Sequence, residues 1–147
     1  MFTDTITLFN KYDGASGITW FPHILHRTQL NKDKAVILER YGQDSQDKAS
    51  VIINCNKKDG AIMIGDTVYK PPKEWERQVN DDLPSTITLK DDDFFVEGSF
   101  EFESPILDED YTDGFYAYMR KNHDFCFKVT SVGGLYKLIP HFEVLGR

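Results

Sequence analysis

Cysteine is scarce in this chain, basic residues are outnumbered by acidic ones, and no apolar run is long enough to cross a bilayer. The only two cysteines, Cys55 and Cys126, lie in the apolar stretches VIINC and FCFKV, where cysteine behaves as a small buried hydrophobe. A disulfide-dense scaffold is thereby excluded, and free thiols are expected. Lys and Arg number 17 against 24 Asp and Glu, a net charge of -7, which opposes a phosphate backbone rather than attracting it. The N-terminal MFTDTITLFN has neither a basic start nor an apolar run of leader length, so neither secretion nor a membrane span is expected. Also missing are the Gly-x-Ser-x-Gly elbow, the phosphate loop and the dinucleotide glycine fingerprint.

What the chain does have is apolar mass and β patterning. Hydrophobic residues make up 40% and aromatic ones 14% of 147 residues, enough for one core without metal or disulfide support. One domain over residues 1–147 is expected. TDTITLF at 3–9 alternates with period two, as a half-buried strand does. KYDGASG is turn-like, and residues 18–30 read as a strand that Pro22 marks as an edge or a bulge. Residues 34–40 suit a helix or a strand, and 41–50 a polar loop. SVIINC, AIMI and TVYK are strands, punctuated by KKDG and by the two-residue turn Gly65-Asp66. PPKEWERQ reads as a short helix with proline in its first turn. STITL and FFVEGSFEFE are strands, Ile106 to Asn122 has helical spacing that Gly114 breaks or kinks, and the end forms a hairpin about Gly133-Gly134. The fold class expected is mostly β, a barrel or a sandwich, with one or two short helices.

Candidate chemistry is thin. His23 and His26 stand three apart in a strand-like stretch, unlike the helical spacing of zinc proteases. Cys126 follows His123 without any nucleophile signature. Asp108, Asp110, Asp113 and Gly114 resemble the opening of a calcium loop, but the third carboxylate is one residue late and Met119 stands where the closing glutamate belongs. Acids at a helix start explain the same residues. Asp91, Asp92 and Asp93 are consecutive, so in a strand they point to opposite faces and form no convergent two-metal set. No catalytic residue, metal ligand or cofactor is therefore assigned. The aromatic residues Trp20, Phe21, Trp75, Phe94, Phe95, Phe100, Phe102, Phe115, Tyr116 and Tyr118 have acidic rather than basic flanks, which points to core packing or a protein interface.

The acidity itself is localised. Residues 81–116 hold 12 Asp and Glu against the single lysine Lys90, a net of -11, while the rest of the chain is at +4.

TDTITLFN at 3–10, WFPHILH at 20–26, YKPPKEWERQ at 69–78, FYAYMRKNHDFCFKVTSVGG at 115–134 and LIPHFEVLGR at the end together resemble a family of small proteins of phages and prophages of Gram-positive bacteria. The resemblance covers nearly the whole chain and implies a non-enzymatic virion component of the neck, most similar to a head-completion or stopper protein. It implies a ring of six- or twelve-fold symmetry, with portal, adaptor and tail proteins as neighbours and no membrane partner. DNA would pass through it without specific binding. The expected location is the virion, after synthesis in the host cytoplasm. On this reading Asp91, Asp92, Asp93, Asp108, Glu109, Asp110 and Asp113 face the DNA channel, and the 41–50 loop and exposed aromatics meet neighbouring subunits. Alternatives are a tail terminator or minor capsid protein and, from other classes, a metal-dependent hydrolase or an inhibitor that mimics DNA.

Overall fold

A computed structural model of the chain describes residues 2–32, 49–79 and 81–147. The alternation seen in TDTITLF becomes β1 (Asp4–Gly14), which turns over Ala15 and Ser16 into β2 (Gly17–Asn31). There follow β3 (Ala49–Asn54), β4 (Asn56–Lys58), β5 (Ala61–Ile64), β6 (Thr67–Tyr69), the helices α1 (Pro72–Glu76) and α2 (Asp82–Ser85), β7 (Thr86–Ile87) and β8 (Phe94–Glu97). The chain ends with β9 (Ile106–Leu107), a 3-10 turn (Asp108–Asp110), helix α3 (Phe115–Asn122) and the hairpin of β10 (Cys126–Tyr136) and β11 (His141–Gly146).

The main sheet runs β1-β8-β10-β11-β3-β2, and β1 also pairs with β2, so six antiparallel strands close into a barrel. β9 is added to β2, and a second sheet, β4-β5-β6-β7, lies beside the barrel, with its last pairing parallel. Closure pairs β1 on both sides, while β9 ends the main sheet and β4 and β7 end the second. The interior follows from period-two patterning: Ile6, Leu8, Leu25, Val51, Ile53, Phe95, Phe127, Val129, Phe142 and Val144 form one buried cluster, joined by Ile64 and Ile87 from the second sheet. Gly146 fits where a Cβ would stand 3.0 Å from the Lys128 carbonyl and from the Phe95 ring, so β11 closes against β10 only without a side chain there.

A second cluster lies outside the barrel wall. Phe9, Trp20, Phe94, Phe115 and Met119 pack between β1, β8 and α3, with the Phe9 and Phe94 rings stacked at 4.7 Å and Trp20 edge-on to Phe94 at 4.9 Å. Phe94 and Phe95 are therefore both buried, on opposite faces of β8. Trp75 of α1 is fully buried against Phe21, Leu83 and Tyr12 in a third cluster.

The expectation of a mostly β chain holds, and the barrel alternative is the one adopted. Both two-residue turns, Asp59-Gly60 and Gly65-Asp66, and the proline-started helix α1 lie where the sequence placed them. Five details differ. Three short helices, not one or two, occur among the described residues. Of the two alternatives for Pro22 the edge is the one adopted, since it pairs with Phe9 where β2 has a strand on one side only, and the bulge comes later, at Arg27 with φ 58°. Strand β8 stops at Glu97, because Gly98 turns away and the Thr7 hydroxyl takes the Phe100 N–H at 3.0 Å, tucking Phe100 and Phe102 against the outer cluster. STITL supplies only a two-residue strand after α2. Gly133 and Gly134 lie within β10, where a Cβ on Gly134 would meet the His141 carbonyl at 3.0 Å, and the chain turns at 137–140 instead. The 34–40 segment and most of the 41–50 loop lie outside the described residues.

His23 projects from β2 toward the interior, where burial lowers its pKa from 6.5 to about 4 against a hydrogen bond to the Thr86 backbone. The folded chain thus keeps this ring neutral while the unfolded chain protonates it below pH 6.5, so folding loses stability as pH falls through that window. Chemical denaturation should find wild type losing about 3 kcal/mol relative to His23→Gln between pH 7 and pH 4. Parallel pH profiles of the two proteins would rule this out.

Candidate functional site

The acidic run at 91–93 is split three ways by its turn. Asp91 borders a cleft beside Tyr69 and Phe142, Asp92 borders a groove beside α3, and Asp93 points inward with no exposed surface. Asp93 is therefore not a channel-facing residue. Its carboxylate accepts hydrogen bonds from Asn10 Nδ2 at 2.9 Å, the Lys11 N–H at 2.8 Å, the Lys90 N–H at 3.2 Å and Lys90 Nζ at 2.5 Å. Asn10 in turn donates to the Thr88 carbonyl at 2.7 Å and accepts from the Thr88 N–H at 3.2 Å. Burial pushes the Asp93 carboxyl up to about 6, and the Lys90 charge and the donors around it hold it down. This network ties β1 to the 88–93 segment, and the Asp93 backbone continues it to Val129 of β10. Sequence reasoning missed it because Asn10 and Lys90 are 80 residues apart in the chain and neither carries a motif.

Asp108 is the second acid with a structural task. Its Oδ1 accepts from Trp20 Nε1 at 2.8 Å and from the Phe115 N–H at 2.8 Å, the first donor of α3. The helix therefore begins at Phe115 after Gly114, with φ 92°, and not at Asp108 as its spacing suggested. A carboxylate held against a free helical N–H is the capping role expected of acids at a helix start.

Between these two anchors lies a groove of about 180 Å³ that brings together Asp92, Asp108 and Asp113 with Lys11, Lys128 and Trp20. Lys128 pairs with Asp92 at 3.5 Å, and Lys11 stands 5.9 Å above the Trp20 ring. Asp92, Glu109, Asp110 and Asp113 are exposed, and Asp110 and Asp113 border an adjoining hollow with Tyr118. The folding of the chain thus carries Asp92, Asp110 and Asp113 to one groove and its adjoining hollow, leaves Glu109 exposed, sends Asp91 to another cleft, and engages Asp93 and Asp108 in structural hydrogen bonds.

The other candidates do not converge. His23 is buried, whereas His26 is exposed and meets Thr5 Oγ1 at 3.2 Å. Both cysteines are free, and burial pushes the Cys126 thiol up to about 12, with Arg120 pulling weakly the other way. Among the described residues no three His, Cys, Asp or Glu side chains are placed to hold a metal ion, and no helix is long and apolar enough to cross a membrane.

Removing Asp93 leaves the Lys90 ammonium and several donors buried without a partner. Asp93→Ala should lower unfolding free energy by about 3–5 kcal/mol in urea titration, whereas Asp92→Ala and Asp113→Ala stay within about 0.5 kcal/mol of wild type. Equal effects at all three positions would contradict this division of roles.

No curated protein and no solved structure matches the chain. A family model described as "Family of unknown function (DUF6751)" matches residues 1–147. The chain therefore belongs, over its whole length, to this family of unknown function.

Proposed function

We propose that the chain is a structural component of a tailed-phage virion at the head-tail junction, a neck or stopper subunit that assembles with copies of itself around the path of the DNA. The observation that carries the reading is that Asp92 of the 91–93 turn meets Asp110 and Asp113 of the 108–113 segment at one groove and its adjoining hollow on the outside of a closed barrel. Such a surface repels the phosphate backbone, so a duplex slides past without being held. Lys128 and Asp92 neutralise each other, and Asp110 and Asp113 share the groove and hollow with Lys11 and Lys121, so the acidity of this face rests on Glu109 and the other exposed acids of the segment. Barrel closure supports the same role, because a strand set paired on both sides at β1 holds its shape while neighbouring subunits attach. Portal, adaptor and tail proteins are the neighbours this reading implies.

Two measurements test it. Quantitative mass spectrometry of purified particles should find the chain in fixed proportion to the portal protein, and its absence from particles would sink the proposal. Reversing the surface should create the affinity that the acids prevent. Wild type should not retain duplex DNA at about 50 mM salt, whereas Asp92→Lys, Glu109→Lys and Asp110→Lys combined should bind with a log-log salt slope on the order of -3.

A further inference from the structure

The hairpin of β10 and β11 ends in the turn Lys137 to Pro140, where Leu138 is 98% and Ile139 68% exposed. Two adjacent aliphatic side chains held out in water mark a contact site when the backbone presenting them is fixed. Here it is fixed. The Tyr136 ring stacks on His141 with centroids 4.6 Å apart, and His141 Nδ1 donates to the Ile139 carbonyl at 2.6 Å. A turn braced in this way loses little freedom on docking.

Along the same hairpin is a cleft of about 450 Å³ lined by Tyr69, Leu89, Val132 and Phe142 on its apolar side, by Thr130 and Ser131, and by the acids Glu76 and Asp91. Lys90 also borders the cleft, but its ammonium is engaged by Asp93. Glu76 and Asp91 have no ion pair among the described residues, so the rim presents acidic charge, and the turn carries Lys137. The volume suffices for two aliphatic side chains. The pairing of β10 with β11 extends to Tyr136 opposite His141, beyond the Val132, Gly134 and Phe142 that line the cleft, and Leu138 and Ile139 stand exposed rather than seated in it.

We propose that the Lys137-Leu138-Ile139 tip of one copy of this chain seats in the cleft of a second copy, with the two aliphatic side chains in the apolar floor and Lys137 against Glu76 and Asp91. Each copy offers one tip and one cleft, so the contact closes in pairs or continues head to tail. It goes beyond the neck reading and rests on these two patches alone. The contact is small, which makes it concentration-dependent.

Sedimentation velocity of the full chain from about 10 μM to about 1 mM reads it directly. Wild type should sediment faster as concentration rises, and Leu138→Asp should remain monomeric throughout with an unchanged circular dichroism spectrum, since that side chain lies in solvent. Lys137→Glu should weaken association about tenfold, Glu76→Lys with Asp91→Lys should do the same, and all three substitutions together should restore it to within about threefold of wild type. A wild type that stays monomeric at the highest concentration, a Leu138→Asp protein that associates as wild type does, or a charge exchange without rescue would each overturn the proposal.

Discussion

β1 is hydrogen-bonded to β2 along one side and to β8 along the other, and this double pairing closes the barrel on which every other feature depends. A strand with two partners must satisfy two faces as well as two edges. Ile6 and Leu8 fill the interior, while Phe9 faces outward and needs its own cover. α3 supplies that cover, and a short amphipathic helix that would not persist alone is held by the wall it packs on. Closure and the outer aromatic cluster are in this sense one constraint.

The same closure explains why polar groups lie so deep. Where the chain passes from β7 to β8 it crosses the flank of β1, and the Thr88 and Lys90 N–H groups there are taken by side chains. Asn10 Oδ1 accepts the Thr88 N–H, Asp93 accepts the Lys90 N–H and, from β1, the Lys11 N–H, and Lys90 balances the buried charge. At the other end of the outer cluster, Asp108 does the same for the first donor of α3 while gripping Trp20. Two acids from an apparently solvated run are thus structural pins, each meeting donors that secondary structure leaves over. Their neighbours, freed of that task, form the exposed acidic surface.

The long hairpin of β10 and β11 stands apart from this economy of satisfied groups. It belongs to the barrel at its base, where Val129 and Val144 are buried, and leaves the barrel at its tip, where Leu138 and Ile139 are not covered. The bracing of Tyr136 on His141 shows that the exposure is built and not a frayed end.

The β class, the short turns and the helix begun by Pro72 were legible in the sequence, because they depend on neighbours within a few residues: period-two alternation, a Gly-Asp pair, a proline in a first helical turn. The concentration of acid in 81–116 was legible too, as composition always is. The choice of barrel over sandwich was not, since it rests on β1 meeting β8, whose Phe94 pairs with Phe9 and Glu97 with Ile6. Nor was the sorting of the acids. Asp91, Asp92 and Asp93 are identical in type and adjacent in sequence, and only the turn that carries them decides that one borders the apolar cleft, one the acidic groove and one the interior. Local chemistry follows from the residue, but burial and partnership are properties of the fold, and for these carboxylates they determine whether the charge pins the structure or faces outward.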